Sequence, residues 1–193
     1  MDGARYLTLA ELEHGLDRIR ASPRDGGELA LIVRRPAIGE RETVAEGELD
    51  PTEGLVGDNW RVRGSSATKD RSAHPEMQLN IMNARVAALV AQDPARWSLA
   101  GDQLYVDLDL SEANLPAGSR LAIGGALVEI TAQPHLGCTK FVSRFGADAM
   151  RFVNSPVGRA LHLRGVNAKV VRGGTIRRGD RIWKQAADAS SPT

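Results

Sequence analysis

Residues 120–131 read RLAIGGALVEIT. Two arms of apolar and β-branched residues flank Gly124-Gly125, the pattern of two strands joined by a tight turn. The same punctuation recurs on either side. Upstream, Gln103 to Leu110 (QLYVDLDL) alternates apolar with polar residues, which predicts a strand with one buried and one wet face. Downstream, Val166 to Val171 reads as a strand and Gly173-Gly174 as a turn. A final strand region runs from Ile176 to Trp183 around a turn at Gly179-Asp180.

Further out, Leu29 to Arg34 (LALIVR) is a β-branched run followed by Pro36 after one more residue, and Arg41 to Leu49 alternates weakly. Gly54-Leu55-Val56-Gly57-Asp58 is a compact turn-rich element, and Arg61 to His74 is polar and reads as an exposed loop. Helices are expected in three places. Thr8 with Glu11 forms a capping-box pattern ahead of Leu9, Leu12, Leu16 and Ile19, and Ser22-Pro23 ends that helix. Pro75 to Ala91 has an apolar face of Met77, Ile81, Val86, Leu89 and Val90, and Thr139 to Asn154 reads as helical up to Ser155-Pro156. Many short strands with glycine turns and few helices predict a mainly β chain with peripheral helices, a closed or partly open β-barrel. Strands and helices do not alternate regularly, which disfavours a doubly wound sheet. The expected division is a lead-in with the first helix over 1–28, the barrel over 29–184, and a small polar tail over 185–193 that frays.

The inventory excludes several classes of function. The chain has 193 residues, with Lys plus Arg 25 against Asp plus Glu 24 and a net charge of +1, so there is no global basic excess for nucleic acid. No apolar run is long enough to span a membrane, and the N-terminus lacks the apolar stretch of a signal peptide. With one cysteine there is no intrachain disulfide, and a cytoplasmic location is expected. One Cys and four His (His14, His74, His135, His162) without CxxC or HExxH argue against structural zinc or an iron–sulfur cluster, and no GxxxxGK[ST] loop offers a nucleotide cofactor site.

What remains is the cysteine. Gln133-Pro134-His135-Leu136-Gly137-Cys138-Thr139-Lys140 places Cys138 at a turn leading into a helix, where unpaired N–H groups favour a thiolate. Lys140 and Arg144 are four apart, on one helix face, and His135 lies one tight turn away. Thiolate character suits a nucleophile, a sulfur carrier or a soft-metal ligand. On residues alone this stands level with a plainer reading, in which Cys138 is a small hydrophobe and the cations are a solvated helix face.

The chain resembles the MOSC family, named after the C-terminal domain of molybdenum cofactor sulfurase. The matching pieces are PHLGCTKF at 134–141, Arg144 to Gly146, Leu163-Arg164-Gly165, Ala168 to Val171, Gly174-Thr175-Ile176, Gly179-Asp180 and, upstream, Gly54 to Asp58. The resemblance implies a β-barrel and a key cysteine that binds the molybdenum of a molybdopterin cofactor. Carried over, it makes Cys138 the molybdenum ligand and Lys140, Arg144, Lys69, Arg71 and Arg164 the candidates for the cofactor's phosphate. Asp58 is the candidate for a pterin N–H, a turn-forming aspartate being the equal alternative. Asn154 and Arg164 have similarly plain alternatives, a helix C-cap and a surface charge. Asn59-Trp60-Arg61 departs from the charged or His-containing stretch of many members, and the sulfurase's pyridoxal-phosphate domain has no counterpart here.

Three functions follow as expectations. The first is a molybdenum-dependent reductase of small N-hydroxylated substrates, drawing electrons from a separate reductase because the sequence has no flavin, haem or iron–sulfur motif. The second is a sulfur carrier, with a persulfide on Cys138 loaded by a sulfur donor, or a cofactor-delivery module. The third is a Cys–His hydrolase with Cys138 as nucleophile and His135 or His162 as base.

Overall fold

The computed structural model describes residues 5–185. The tail reading therefore concerns residues that, but for 185, lie outside the described ones. Strand β1 spans Gly27–Arg34, β2 Glu42–Val44, β3 Glu46–Asp50, β4 Gly54–Leu55, β5 Leu79–Asn83 and β6 Leu104–Asp107. Strand β7 spans Arg120–Ile123, β8 Ala126–Ile130, β9 Val166–Arg172, β10 Gly174–Arg177 and β11 Arg181–Gln185. The order β11-β7-β8-β9-β5-β6-β1, with β11 also paired to β1, closes a seven-stranded barrel. The β5–β6 ladder is parallel and the rest of the barrel antiparallel. Closure removes the exposed edges that an open sheet would present. Strand β2 hooks onto β1 outside the ring, and β10, β3 and β4 form a second small sheet. Leu49, Leu55 and Ile176 from that small sheet join the barrel's interior core.

The helices are α1 (Leu9–His14), α2 (Leu16–Arg20), α3 (Trp60–Arg63), α4 (Ala84–Ala91), α5 (Thr139–Phe145), α6 (Ala147–Asn154) and α7 (Pro156–Ala160). The capping box at Thr8 and Glu11 is formed as expected, and Gly15 then divides the first helix in two. Gly146 divides the stretch after Cys138 in the same way. Among the described residues no helix is long and apolar enough to cross a membrane.

Two cores share the barrel wall. Leu104 and Val106 of β6 point into the barrel, while Tyr105 between them points outward and packs with Met82, Val33 and the apolar faces of α1, α4, α5 and α6. That double burial explains the one large departure from the sequence reading. Residues 79–83, expected within a helix, form a central strand in which every residue is buried. A strand covered on both faces loses the two-residue alternation that would reveal it. Its last residue, Asn83, also caps α4, accepting from the N–H of Arg85, so no breaker separates strand from helix. The hairpin at Gly124-Gly125 is as expected: Gly124 has φ +53°, and a Cβ there would lie 2.4 Å from Oδ2 of Asp180.

Candidate functional site

The turn that carries Cys138 is pinned along its whole length by side chains. Thr131 donates its hydroxyl to the Glu76 carbonyl at 2.7 Å, and Gln133 donates to the Glu76 carboxylate at 3.1 Å. Asn167, fully buried in β9, donates to the carbonyls of Gln133 and Pro134. At the far end the Gly137 N–H donates to Oδ1 of Asn154 at 3.0 Å. Asn154, read from sequence as a helix C-cap, is instead the last residue of α6, whose C-cap is Ser155, and its side chain holds the residue before the cysteine. Cys138 is the N-cap residue of α5, but its side chain caps nothing and is exposed. The result is a free thiol on a fixed backbone, which is what a metal ligand or carrier residue requires.

Asp102 is fully buried below this turn. Its carboxylate receives Nη1 of Arg164 at 2.9 and 2.8 Å and lies 2.8 Å from Nε2 of His135. Arg164 also donates to the Ala100 carbonyl and stacks over the Phe141 ring with its Cζ 5.2 Å from the centroid. Burial works against the Asp102 charge, but Arg164 and His135 outweigh it and hold the pKa below the usual carboxylate value. For His135, burial and then Arg164 lower the pKa, against the opposing pull of Asp102. Arg164 already balances the carboxylate, so the imidazole stays neutral. Gly165 fits the chain into this corner: its φ is +106°, and a Cβ would meet the Ile81 carbonyl at 2.4 Å.

This predicts a pH dependence. In the unfolded chain His135 titrates near its ordinary value, about 6.5. As the pH falls below that, the unfolded state takes up a proton that the folded state refuses, so stability falls until the lower folded pKa is reached. Urea midpoints measured at about pH 7 and about pH 5.5 should therefore draw together in His135→Gln relative to the unsubstituted protein. Equal spacing in the two proteins would show that His135 is not held neutral.

A second buried pair lies alongside. The side chain of Asp58 is fully buried, accepts from Nε and Nη2 of Arg35 at 2.8 Å each, and receives the backbone N–H of Arg35 and of Trp60. Arg35 reaches on to Asn80 and to the Gly101 carbonyl, and Asn80 donates to Asn167. One polar network thus runs from Asp58 to the cysteine turn.

Around this network gather further cations, and among the described residues Arg41, Arg63 and Lys140 have no carboxylate partner, unlike Arg35. Arg35, Arg41, Arg63 and Lys140 line a pocket of about 250 Å³ together with Ile38 and Gly39. Arg144 donates to the Leu99 carbonyl and, like Arg41, lies within 4 Å of where a Cβ on Gly101 would be. Arg41 has its pKa held down first by burial and then by Arg144 and Arg35, and Arg63 first by burial and then by Arg35. The Nε of Arg41 is buried without a partner. Positive groups crowded this closely, with an orphaned donor among them, are poised for an anion.

Of the residues singled out in the sequence, Lys140 lines this pocket, Cys138 lies two residues before it in the chain, and Arg144 meets Arg41 beside Gly101. Asp58 and Arg164 are spent on buried ion pairs with Arg35 and Asp102. Lys69 and Arg71 are exposed in the loop after α3 and line none of the pockets described here. Neither His135 nor His162 pairs with Cys138: His135 is bonded to Asp102, and His162 to the Leu110 carbonyl and Glu112. Sequence reading missed Arg35, Arg41, Arg63 and Asp102. Nothing local to Asp102 marks it, and the arginines lie far from the cysteine in the chain.

The sequence profile of the MOSC domain matches residues 68–183, more than half of the chain, and the chain belongs to that family. No curated protein matches it. Among solved structures it is similar to the YuaD protein of Bacillus subtilis, with a TM-score of 0.62 and 16% identity, covering 84% of this chain and 97% of that one. It is also similar to YiiM of Escherichia coli, with a TM-score of 0.53 and 19% identity over 83% of this chain and 70% of that one. At these identities the likeness speaks for the fold.

Proposed function

We propose that the chain binds a molybdenum cofactor, with the thiolate of Cys138 as the metal ligand and the cofactor's phosphate in the cationic pocket. One observation carries this reading: an exposed, uncommitted thiol stands two residues from Lys140, and Lys140 lines a pocket whose Arg41 and Arg63 have no carboxylate partner among the described residues. Two residues of chain span at most about 7 Å, so both ends of one ligand lie within reach. A soft thiolate suits the metal, and planar guanidinium donors suit a phosphate. Lys140, Arg41, Arg63 and Arg144 would hold the phosphate, with the orphaned Nε of Arg41 as one donor. The buried Arg35–Asp58 pair would hold the pocket floor in shape.

Bound there, the cofactor would supply two-electron oxygen-atom chemistry, which suits reduction of a small N-hydroxylated compound with electrons from a separate reductase. The chain's own part is to fix the thiol by the pinned turn and to neutralise the anionic end of the ligand. A second reading draws on the same exposed thiol: Cys138 carries sulfur as a persulfide.

Expression in a host that makes the cofactor separates the two. Near-stoichiometric molybdenum and pterin in the purified protein, both lost in Cys138→Ser, is the expected result. A well-folded protein with neither would overturn it, and a mass increase of about 32 Da at Cys138 after incubation with a desulfurase would favour the persulfide.

A further inference from the structure

The cysteine turn has a second face. Gln133, Pro134, His135 and Leu136 of the turn line a cavity of about 490 Å³, in the range of small-molecule sites. Ala132, Pro134, Leu136, Ile130, Val153 and Val166 give it a mainly apolar wall. Leu136, two residues before Cys138, is 46% exposed and stands at its edge. His135 and Arg164 line it too.

His135 gives this cavity a defined polar point. Its Nε2 faces the Asp102 carboxylate at 2.8 Å, and that carboxylate is kept charged by Arg164. A carboxylate can only accept, so Nε2 carries the hydrogen and Nδ1 carries the lone pair. Among the described residues Nδ1 has no hydrogen-bond partner, nor is it a fully buried atom, and the side chain is 14% exposed. The ring is therefore held in one tautomer with its acceptor unused. The neighbouring Arg164 is 6% exposed and has its Nε unpartnered. The other histidine of the cavity is committed differently: His162 contacts the Leu110 carbonyl through Nδ1 and Glu112 through Nε2, so it offers a ligand no free nitrogen.

We propose that this cavity is a small-molecule binding site that takes a compact, mainly apolar ligand of aromatic-ring size bearing an N–H or O–H group, which donates to Nδ1 of His135. The site is built without Cys138, which is not part of its wall, and its occupancy does not require a bound cofactor.

Benzamide and methyl benzoate test this, being alike in size and apolar body while only benzamide has N–H donors. Dissociation constants would be read from amide and histidine ring ¹⁵N shifts on titration into the full chain. Benzamide should bind roughly fivefold more tightly, the worth of one neutral hydrogen bond. The preference should vanish in His135→Phe, which keeps the ring but removes the acceptor. Ala132→Trp, at an exposed position on the wall, should narrow the cavity and weaken binding of both while leaving the rest of the spectrum intact. The same preference is expected in Cys138→Ser, so the site stands or falls apart from the cofactor reading. Absence of saturable binding of either probe up to about 10 mM, weaker than a small ligand in a formed pocket should be, would overturn the proposal. So would a benzamide preference that survives His135→Phe.

Discussion

Asp58→Ala should unfold this protein roughly 10 °C earlier than the unsubstituted chain. The side chain is fully buried, and its removal leaves the Arg35 guanidinium, itself 4% exposed, without its counter-charge. It also strips the acceptor from the backbone N–H groups of Arg35 and Trp60. Breaking a buried pair from one side costs about 3–5 kcal/mol, because the partner is left charged in a poor solvent. For a domain of this size each kcal/mol moves the midpoint by about 2–4 °C. The double variant Arg35→Met with Asp58→Leu removes both charges and should regain most of the loss. The outcome also decides between two roles for Asp58. A pterin ligand would lose pterin in Asp58→Ala while the melting temperature hardly moved. An ion-pair partner shows a large thermal shift, and any cofactor loss then follows from unfolding. Thermal melts of the single and double variants, scored beside pterin content, check this.

The contrast between Asp58 and Cys138 shows what kind of information the chain carries on its face. Short β runs punctuated by glycine pairs announced the barrel because turn geometry and strand alternation are local properties. The turn around Cys138 was legible for the same reason: Pro134, Gly137 and the following Lys140 and Arg144 are neighbours in sequence. Residues 79–83 were not legible as a strand, because burial on both faces is a property of the assembled layers and not of the segment. The polar network was hidden for a related reason. Arg35, Asp58, Asn80 and Gly101 meet only when β1, the turn after β4, β5 and the turn before β6 are brought to one end of the barrel. Nothing local to Asp58 distinguishes a turn-forming aspartate from one whose partner lies 23 residues away. Charge that pairs across a fold must be found in the fold. The cations were hidden twice over, since it is the lack of carboxylate partners for Arg41 and Arg63 among the described residues that marks them.

That absence yields the second large effect, with opposite signs for two observables. Arg41→Gln should lower retention of molybdenum and pterin roughly tenfold or more, the scale of a charge-assisted hydrogen bond. The same substitution should leave the melting temperature unchanged or raise it. Arg41 sits close to Arg144 and Arg35, and burial together with those two neighbours disfavours its charge. Its Nε is buried without an acceptor, so the folded protein gains nothing from that donor in the ligand-free state. Removing the charge relieves repulsion, and the shorter amide can withdraw toward solvent. A residue kept for structure behaves the other way: its loss destabilises the fold and disturbs binding only as a consequence. Lys140→Gln, at an exposed position on the same pocket, should share the binding loss without the gain in stability. Cofactor content per folded molecule and thermal midpoints, measured on the two single variants and their combination, read both signs at once. A drop of several degrees in Arg41→Gln with undiminished cofactor would place this arginine in the scaffold and move the anion site elsewhere. A stable protein with depleted cofactor would show that the cations at this end of the barrel are held together against their own repulsion for the sake of an anion.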